Sequence, residues 1–258
     1  MDNKKKAIIL IAVGVVISAL LYFIILHPYI QAMHTINASY EEFHVEDLGY
    51  PAESFTKYEI SDSSFVPVEA NDYTISLPTY FTDNTKDDSE IFIFNAENNA
   101  NDYGESISFS NGIDYSDMTI LNQKDLSDRD KEKLIEGYEK LGYGIPDTCY
   151  SSLKCSYLIT EDDFSFWNRE KMDAYTLLVP YRTGGAFFYS DGTSKTYIYE
   201  TEETYALISE QYIPDWNLYH YVVNFFDSDD LNTQYTISMK TKTPETAYAI
   251  INSIEFKD

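Results

Sequence analysis

The sequence is poor in cysteine, histidine and basic residues. It has two cysteines, four histidines, and 18 lysines and arginines against 43 aspartates and glutamates. No cysteines or histidines pair with the spacing of a zinc site, and no acidic cluster has the ladder of a calcium loop. No complete catalytic motif is present either. We therefore expect no metal ion, no cofactor and no assignable catalytic residue.

One long uncharged run lies near the start of the chain. Three lysines, at positions 4 to 6, precede 20 uncharged and mostly apolar residues, 7–26. A helix of that length is about 30 Å long, which matches the hydrocarbon core of a bilayer. The run lacks the small-x-small site at which a signal peptide is cleaved. We predict a retained single-pass transmembrane anchor that meets the lipid bilayer through residues 7–26.

Charge predicts how the anchor is oriented. The three lysines favour a cytoplasmic N-terminus in the cell membrane, so the remainder lies outside the cytoplasm. That remainder carries 15 basic and 42 acidic residues, a net charge of −27. Such a domain repels nucleic acid, which we exclude as a partner. The predicted organisation is a cytoplasmic tail (1–6), the anchor, a juxtamembrane stalk (27–55) and an extracytoplasmic domain (56–258).

The domain is rich in aromatic and β-branched residues in near alternation, a pattern typical of strands. The chain has 24 tyrosines and 15 phenylalanines, enough to build a core. Asp191-Gly192 is typical of a hairpin turn and joins a segment at 186–190 to the next strand. The other predicted strands are 73–77, 90–94, 105–110, 196–200, 205–212, 217–226 and 234–240.

Three helices are predicted among these strands. The first is capped by Ser127 and stops at Gly142; the second runs from Thr160 to a point before Pro180. The third is capped by Thr243 and has a proline at its first position. Strands at both ends of the domain, with about three packing helices, indicate an α+β fold with a mainly antiparallel sheet.

Two stretches carry a resemblance to a known family. They are YTISLPTYF (73–81), in which a strand ends in Leu-Pro, and YTISMKTKTPETAYAIINSIEF (235–256), in which a strand feeds a helix that closes Ser-Ile-x-Phe. This pattern resembles the PsbP-like family over residues 71–256. The resemblance implies an α/β/α sandwich and an exported protein. That family offers no catalytic signature to carry over.

Residues 144–157, GIPDTCYSSLKCSY, contain a Ser-x-x-Lys spacing, Ser151 to Lys154. In penicillin-binding enzymes one helical turn brings such a lysine beside the serine. Here the alternating apolar residues from 153 to 159 predict a strand, and the partner motifs are missing. We interpret the spacing as a coincidence, and keep as an alternative an envelope hydrolase that uses Ser151 or paired carboxylates.

The same stretch holds both cysteines, Cys149 and Cys155. Outside the cytoplasm a disulfide would persist. On one straight strand their α-carbons would be about 20 Å apart, so a bridge needs a bend in the chain. A disulfide and two free thiols both remain open.

Tyrosine pairs lie on one face of two predicted strands: Tyr197 with Tyr199, and Tyr219 with Tyr221. An open face would be an aromatic binding platform for a peptide or glycan, whereas a covered face would be core, which the predicted helices favour. We expect a membrane-tethered extracytoplasmic binding or accessory domain whose partner is an envelope protein or a small ligand. A structural spacer is a further alternative.

Overall fold

The computed structural model describes residues 3–43, 52–55, 64–86, 89–96, 104–124, 126–185 and 194–257. Residues 3–43 form one unbroken helix. It consists of α1 (Asn3–Leu21), a π-helical turn (Tyr22–Leu26) and α2 (His27–Phe43). Ile11–Glu42 is long and apolar enough to cross a membrane, and few of its residues are buried. The predicted apolar span is therefore a helix of sufficient length.

The helix α2 changes character along its length, because one of its faces packs against the domain. Ala32 and Ile36 are buried, and Met33 and Tyr40 pack beside them. This helix occupies much of the segment 27–55 that we predicted as a stalk. The apolar helix thus enters the folded domain directly.

A nine-stranded sheet forms the centre of the domain. Its strand order is β1-β8-β9-β10-β11-β6-β5-β4, and β7 pairs with β11 at one end. All pairings are antiparallel except that of β1 with β8. The strands are β1 (Glu53–Ser54), β4 (Phe81–Asp83), β5 (Ile91–Ala96), β6 (Ser106–Ser110), β7 (Ile113–Asp114), β8 (Ser194–Glu200), β9 (Thr204–Ile213), β10 (Leu218–Asp227) and β11 (Asp230–Thr241).

One face of this sheet is covered by a smaller sheet and a helix. The small sheet contains β2 (Phe65–Glu69), β3 (Tyr73–Pro78) and β12 (Glu255–Phe256), in the order β12-β3-β2. The helix is α6 (Pro244–Asn252). Alternate residues of the strands point into this layer, as the period of two requires. The main core of the domain lies here, including Tyr73, Phe109, Phe225 and Ile250.

The opposite face is covered near the β10–β11 turn by α4 (Cys149–Leu158). Tyr150 and Tyr157 of α4 pack with Leu207 and Phe226 of the sheet. Behind α4 lie α3 (Asp128–Leu141) and α5 (Arg169–Gly185), and α2 packs on α5. The α+β fold class with a mainly antiparallel sheet is confirmed.

Two of the predicted helices are confirmed in place and extent. In α3 the Ser127 side chain caps the first turn, and Gly142 closes the helix at φ 88°. In α6 the Thr243 side chain accepts a hydrogen bond from the backbone N–H of Thr246. Both helices have strong local signals at their ends. Except for the segment at 153–159, the predicted strands outside 186–193 are also found; the proposed hairpin at 186–192 lies outside the described residues.

Two other predictions are wrong. The second helix starts at Arg169, since Thr160 precedes only a short 3₁₀ turn, and it continues through Pro180 to Gly185. Leu178 and Val179 are completely buried there, so tertiary packing outweighs the cost of an internal proline. The predicted strand around residues 153–159 is the helix α4 instead. Its apolar residues alternate because α4 is buried on two sides.

Candidate functional site

The Ser-x-x-Lys spacing lies at the start of a helix, but its two side chains serve different structural roles. The Ser151 hydroxyl accepts a hydrogen bond from the backbone N–H of Thr148 at 2.8 Å, and the Thr148 hydroxyl accepts one from the N–H of Ser151 at 3.0 Å. This reciprocal pair is a capping box. The Lys154 ammonium donates instead to the Glu200 carboxylate at 2.5 Å. Ser151 therefore has no lysine base beside it, and the spacing is structural.

The two cysteines are free and buried in different clusters. Cys149 packs with the sheet-facing residues of α4, whereas Cys155 packs with α3 and α5 on the other side. Six residues along a helix advance about 9 Å and end about 120° around the helix from the starting face, which is too far for a disulfide. The disulfide that we left open is not formed. Burial raises the pKa of Cys149 to about 11 and that of Cys155 to about 12.

The tyrosine face is core. Tyr197, Tyr199 and Tyr221 are buried, and Tyr219 is half-buried against the same cluster. Phe55 lies edge-on to both tyrosines of β8, and Tyr248 of α6 covers Tyr221. An open aromatic platform is therefore excluded at these four residues. The burial of these side chains agrees with the interpretation as core.

A pocket lies on the opposite face of the same strands, beyond the part covered by α4. Its volume is about 290 Å³, at the lower end of small-molecule sites. The lining residues are Gln211, Ile213, Trp216, His220 and Lys240. The ladder places three of them side by side, because His220 pairs directly with Gln211 of β9 and with Lys240 of β11. Strand register, rather than sequence proximity, assembles this pocket.

The loop between β9 and β10 supplies the aromatic wall. Ile213 pairs with Leu218, which leaves a four-residue loop at 214–217. Asn217 adopts φ 51°, a left-handed conformation that asparagine tolerates well, and its side chain accepts a hydrogen bond from the Tyr212 hydroxyl at 2.8 Å. This bond helps to hold the loop. Trp216 lies within the loop, and the Lys240 ammonium sits 4.6 Å from the centre of its ring, within cation–π range.

A serine and a histidine meet beside the pocket. His220 Nε2 and the Ser238 hydroxyl are 3.2 Å apart. Burial, and then the nearby Lys240 charge, lower the pKa of His220, so its imidazole is neutral at pH 7. Ser238 lies in a central strand between β10 and β6, where backbone N–H groups are used in the ladder. The pair therefore resembles half of a catalytic arrangement without the donors of an oxyanion hole.

The pocket is not evident from the sequence, although the sequence contains one signal of it. In β10 and β11 the polar residues alternate with the core tyrosines and isoleucines, which places His220, Ser238 and Lys240 on one face. The order and register of the strands are needed to bring them together. Within the described residues, no three His, Cys, Asp or Glu side chains are grouped so that they could hold a metal ion.

Comparison with models of known protein families gives no match, and comparison with curated proteins gives none. The resemblance to the PsbP-like family therefore stays a prediction. The described residues show an apolar helix joined without a break to an α+β domain, which carries a pocket with an aromatic wall.

Proposed function

We propose that the protein is a membrane-tethered extracytoplasmic domain that binds a ligand or supports a partner, with its N-terminus in the cytoplasm. One observation carries this proposal: the apolar helix continues into α2, whose far end is built into the domain core. Ala32 and Ile36 are buried there, and the Tyr40 hydroxyl donates to Glu161 at 3.2 Å. A cleaved leader has no reason to share a buried surface with the domain that it delivers.

Charge supports the orientation. Three lysines precede the apolar run, and the following part of the chain carries a net charge of −27. The positive-inside tendency then retains the short lysine-bearing end in the cytoplasm. The acidic surface also supports a role away from nucleic acid and from anionic headgroups.

The pocket favours binding over the two alternatives. A pure spacer does not require a pocket lined by tryptophan, lysine, histidine and glutamine. An envelope hydrolase at Ser151 is disfavoured, because that hydroxyl belongs to a capping box. The contact between His220 and Ser238 is the observation that most favours a hydrolase. A fluorophosphonate probe tests it: labelling that Ser238→Ala abolishes would overturn the binding assignment in favour of catalysis.

Topology is the first property to test, and the structure offers a clean reporter. Trp167 is 87% exposed, while both native cysteines are buried. In intact cells that make the full chain, a membrane-impermeant maleimide should label Trp167→Cys. The matched control is Asn3→Cys, on the other side of the apolar run, which should be labelled only after lysis. The reverse pattern would place the domain in the cytoplasm and refute the proposal.

Binding of an envelope protein is tested separately. Full-length protein, purified from its native membrane in mild detergent, should co-purify in stoichiometric amount with a partner if its role is accessory. Repeated recovery of the protein alone would argue against an accessory role and in favour of a small ligand bound in the pocket.

A further inference from the structure

We propose that the pocket between β9, β10 and β11 binds a small organic anion of the carboxylate class, with a flat ring that packs on Trp216. This inference rests on the proposed binding function and specifies its ligand. It follows from charge, from the neutral donors around that charge, and from the shape of the pocket.

Charge selects an anion. Of the five residues that line the pocket, Lys240 is the one with a formal positive charge, and none is acidic. No ion pair in the described part of the chain includes Lys240, whose ammonium instead lies over the Trp216 ring. A protein with a net charge of −25 that keeps one lysine in a pocket without a carboxylate partner has a local site for negative charge.

The single positive charge of the pocket indicates a ligand with one negative charge. The imidazole of His220 shares a hydrogen bond with Ser238, and Gln211 adds a neutral amide. Neutral donors and a single ammonium suit one carboxylate. A phosphate with two charges is better matched by an arginine fork or by several cations than by one ammonium. The net negative charge of the chain further disfavours polyanions, since repulsion grows with each added charge.

The walls select a ring. Trp216 presents an indole and Ile213 an aliphatic surface, so the pocket joins an apolar side to a polar side. Aromatic rings gain from offset or edge contacts with tryptophan in addition to the area that they bury. A volume of about 290 Å³ accommodates one ring and its acid group rather than an extended chain.

Three probes of nearly equal shape test the charge: benzoate, benzamide and benzylammonium. The full chain carries Trp167→Phe, so that Trp216 is the remaining tryptophan and its fluorescence reports on the pocket. We expect benzoate to change the emission saturably, with benzamide at least tenfold weaker and benzylammonium weaker still. Equal or tighter binding of either of these two would overturn the inference. Acetate and inorganic phosphate test the ring, and either one binding as well as benzoate would also contradict it.

Substitutions then place the effect at Lys240. Lys240→Gln should weaken benzoate binding about tenfold to a hundredfold, because a charged hydrogen bond is lost. Lys240→Arg keeps the charge and should retain binding within about threefold. Lys195→Gln is the control: it removes the same charge from an exposed position on β8, on the other face of the sheet. Benzoate binding that Lys240→Gln leaves unchanged, or that Lys195→Gln weakens equally, would refute the site. The labelling of Trp167→Cys does not depend on benzoate, so topology and ligand class fail separately.

Discussion

The two buried thiols should react slowly with a maleimide in the folded protein, and the slowing relative to an ordinary cysteine follows from their pKa values. Burial raises the pKa of Cys149 to about 11 and that of Cys155 to about 12. At pH 8 an ordinary cysteine is about one-quarter thiolate, so these two lose about 200-fold and about 2,000-fold in thiolate. A more basic thiolate is also more nucleophilic, which raises the reaction rate of the thiolate roughly tenfold for Cys149 and fortyfold for Cys155. The net slowing is about twentyfold and about sixtyfold, before any steric protection.

The assay is labelling by a maleimide, read by intact-protein mass. Single variants, Cys149→Ala and Cys155→Ala, separate the two rates, and Trp167→Cys supplies the rate of an exposed thiol. We expect slow reaction of both native thiols in the folded chain, rapid reaction after denaturation, and the same mass with and without a reductant. Native labelling of either thiol at the reference rate would show that the packing of α4 is wrong. A protein two hydrogens lighter that needs reduction before labelling would show a disulfide, which an α-helix cannot provide.

Three further predictions concern the stability of the elements described above. Ile36→Ala should destabilise the domain by about 2–4 kcal/mol in thermal unfolding, because it empties a buried position on α2, whereas Ile30→Ala, at an exposed position, should have little effect. Thr243→Ala should cost about 1 kcal/mol in the same assay, through loss of the α6 cap. Partial burial raises the pKa of Glu200, but hydrogen bonds from Lys154 and Tyr150 outweigh it and lower that pKa. The stabilisation by Glu200 is thus present above its unfolded pKa and lost as pH falls through the folded one. Urea unfolding of Glu200→Gln should therefore show a deficit of about 0.5 kcal/mol at pH 7 that vanishes in acid.

Local signals were sufficient where they did not compete with packing. Ser127 and Gly142 mark the two ends of α3, and the strands of the main sheet follow their alternation of side chains. The helix α4 was mistaken for a strand because burial on two sides gives a helix apolar residues at positions that a strand would also use. Its reciprocal cap, Thr148 with Ser151, was a local signal of a helix start.

The candidate site could not be predicted in the same way. Trp216 is in a loop, and His220 and Lys240 are on different strands, 20 residues apart in the chain. Their proximity depends on the register of β10 with β11 and on the four-residue loop before β10. Sequence alternation fixes the face on which each side chain lies. It does not fix which strands are neighbours, because that depends on the global topology.

The unbroken helix through residues 3–43 fixes both the position and the rotation of the apolar segment relative to the domain. Each residue of an α-helix turns the chain by about 100°. The orientation of each face of α1 is therefore fixed relative to the face of α2 that packs on α5. A single residue inserted between Leu26 and Ala32 would turn the apolar segment by more than a quarter circle relative to the domain. A rotation of the apolar segment about the helix axis is therefore transmitted through the continuous helix to the domain.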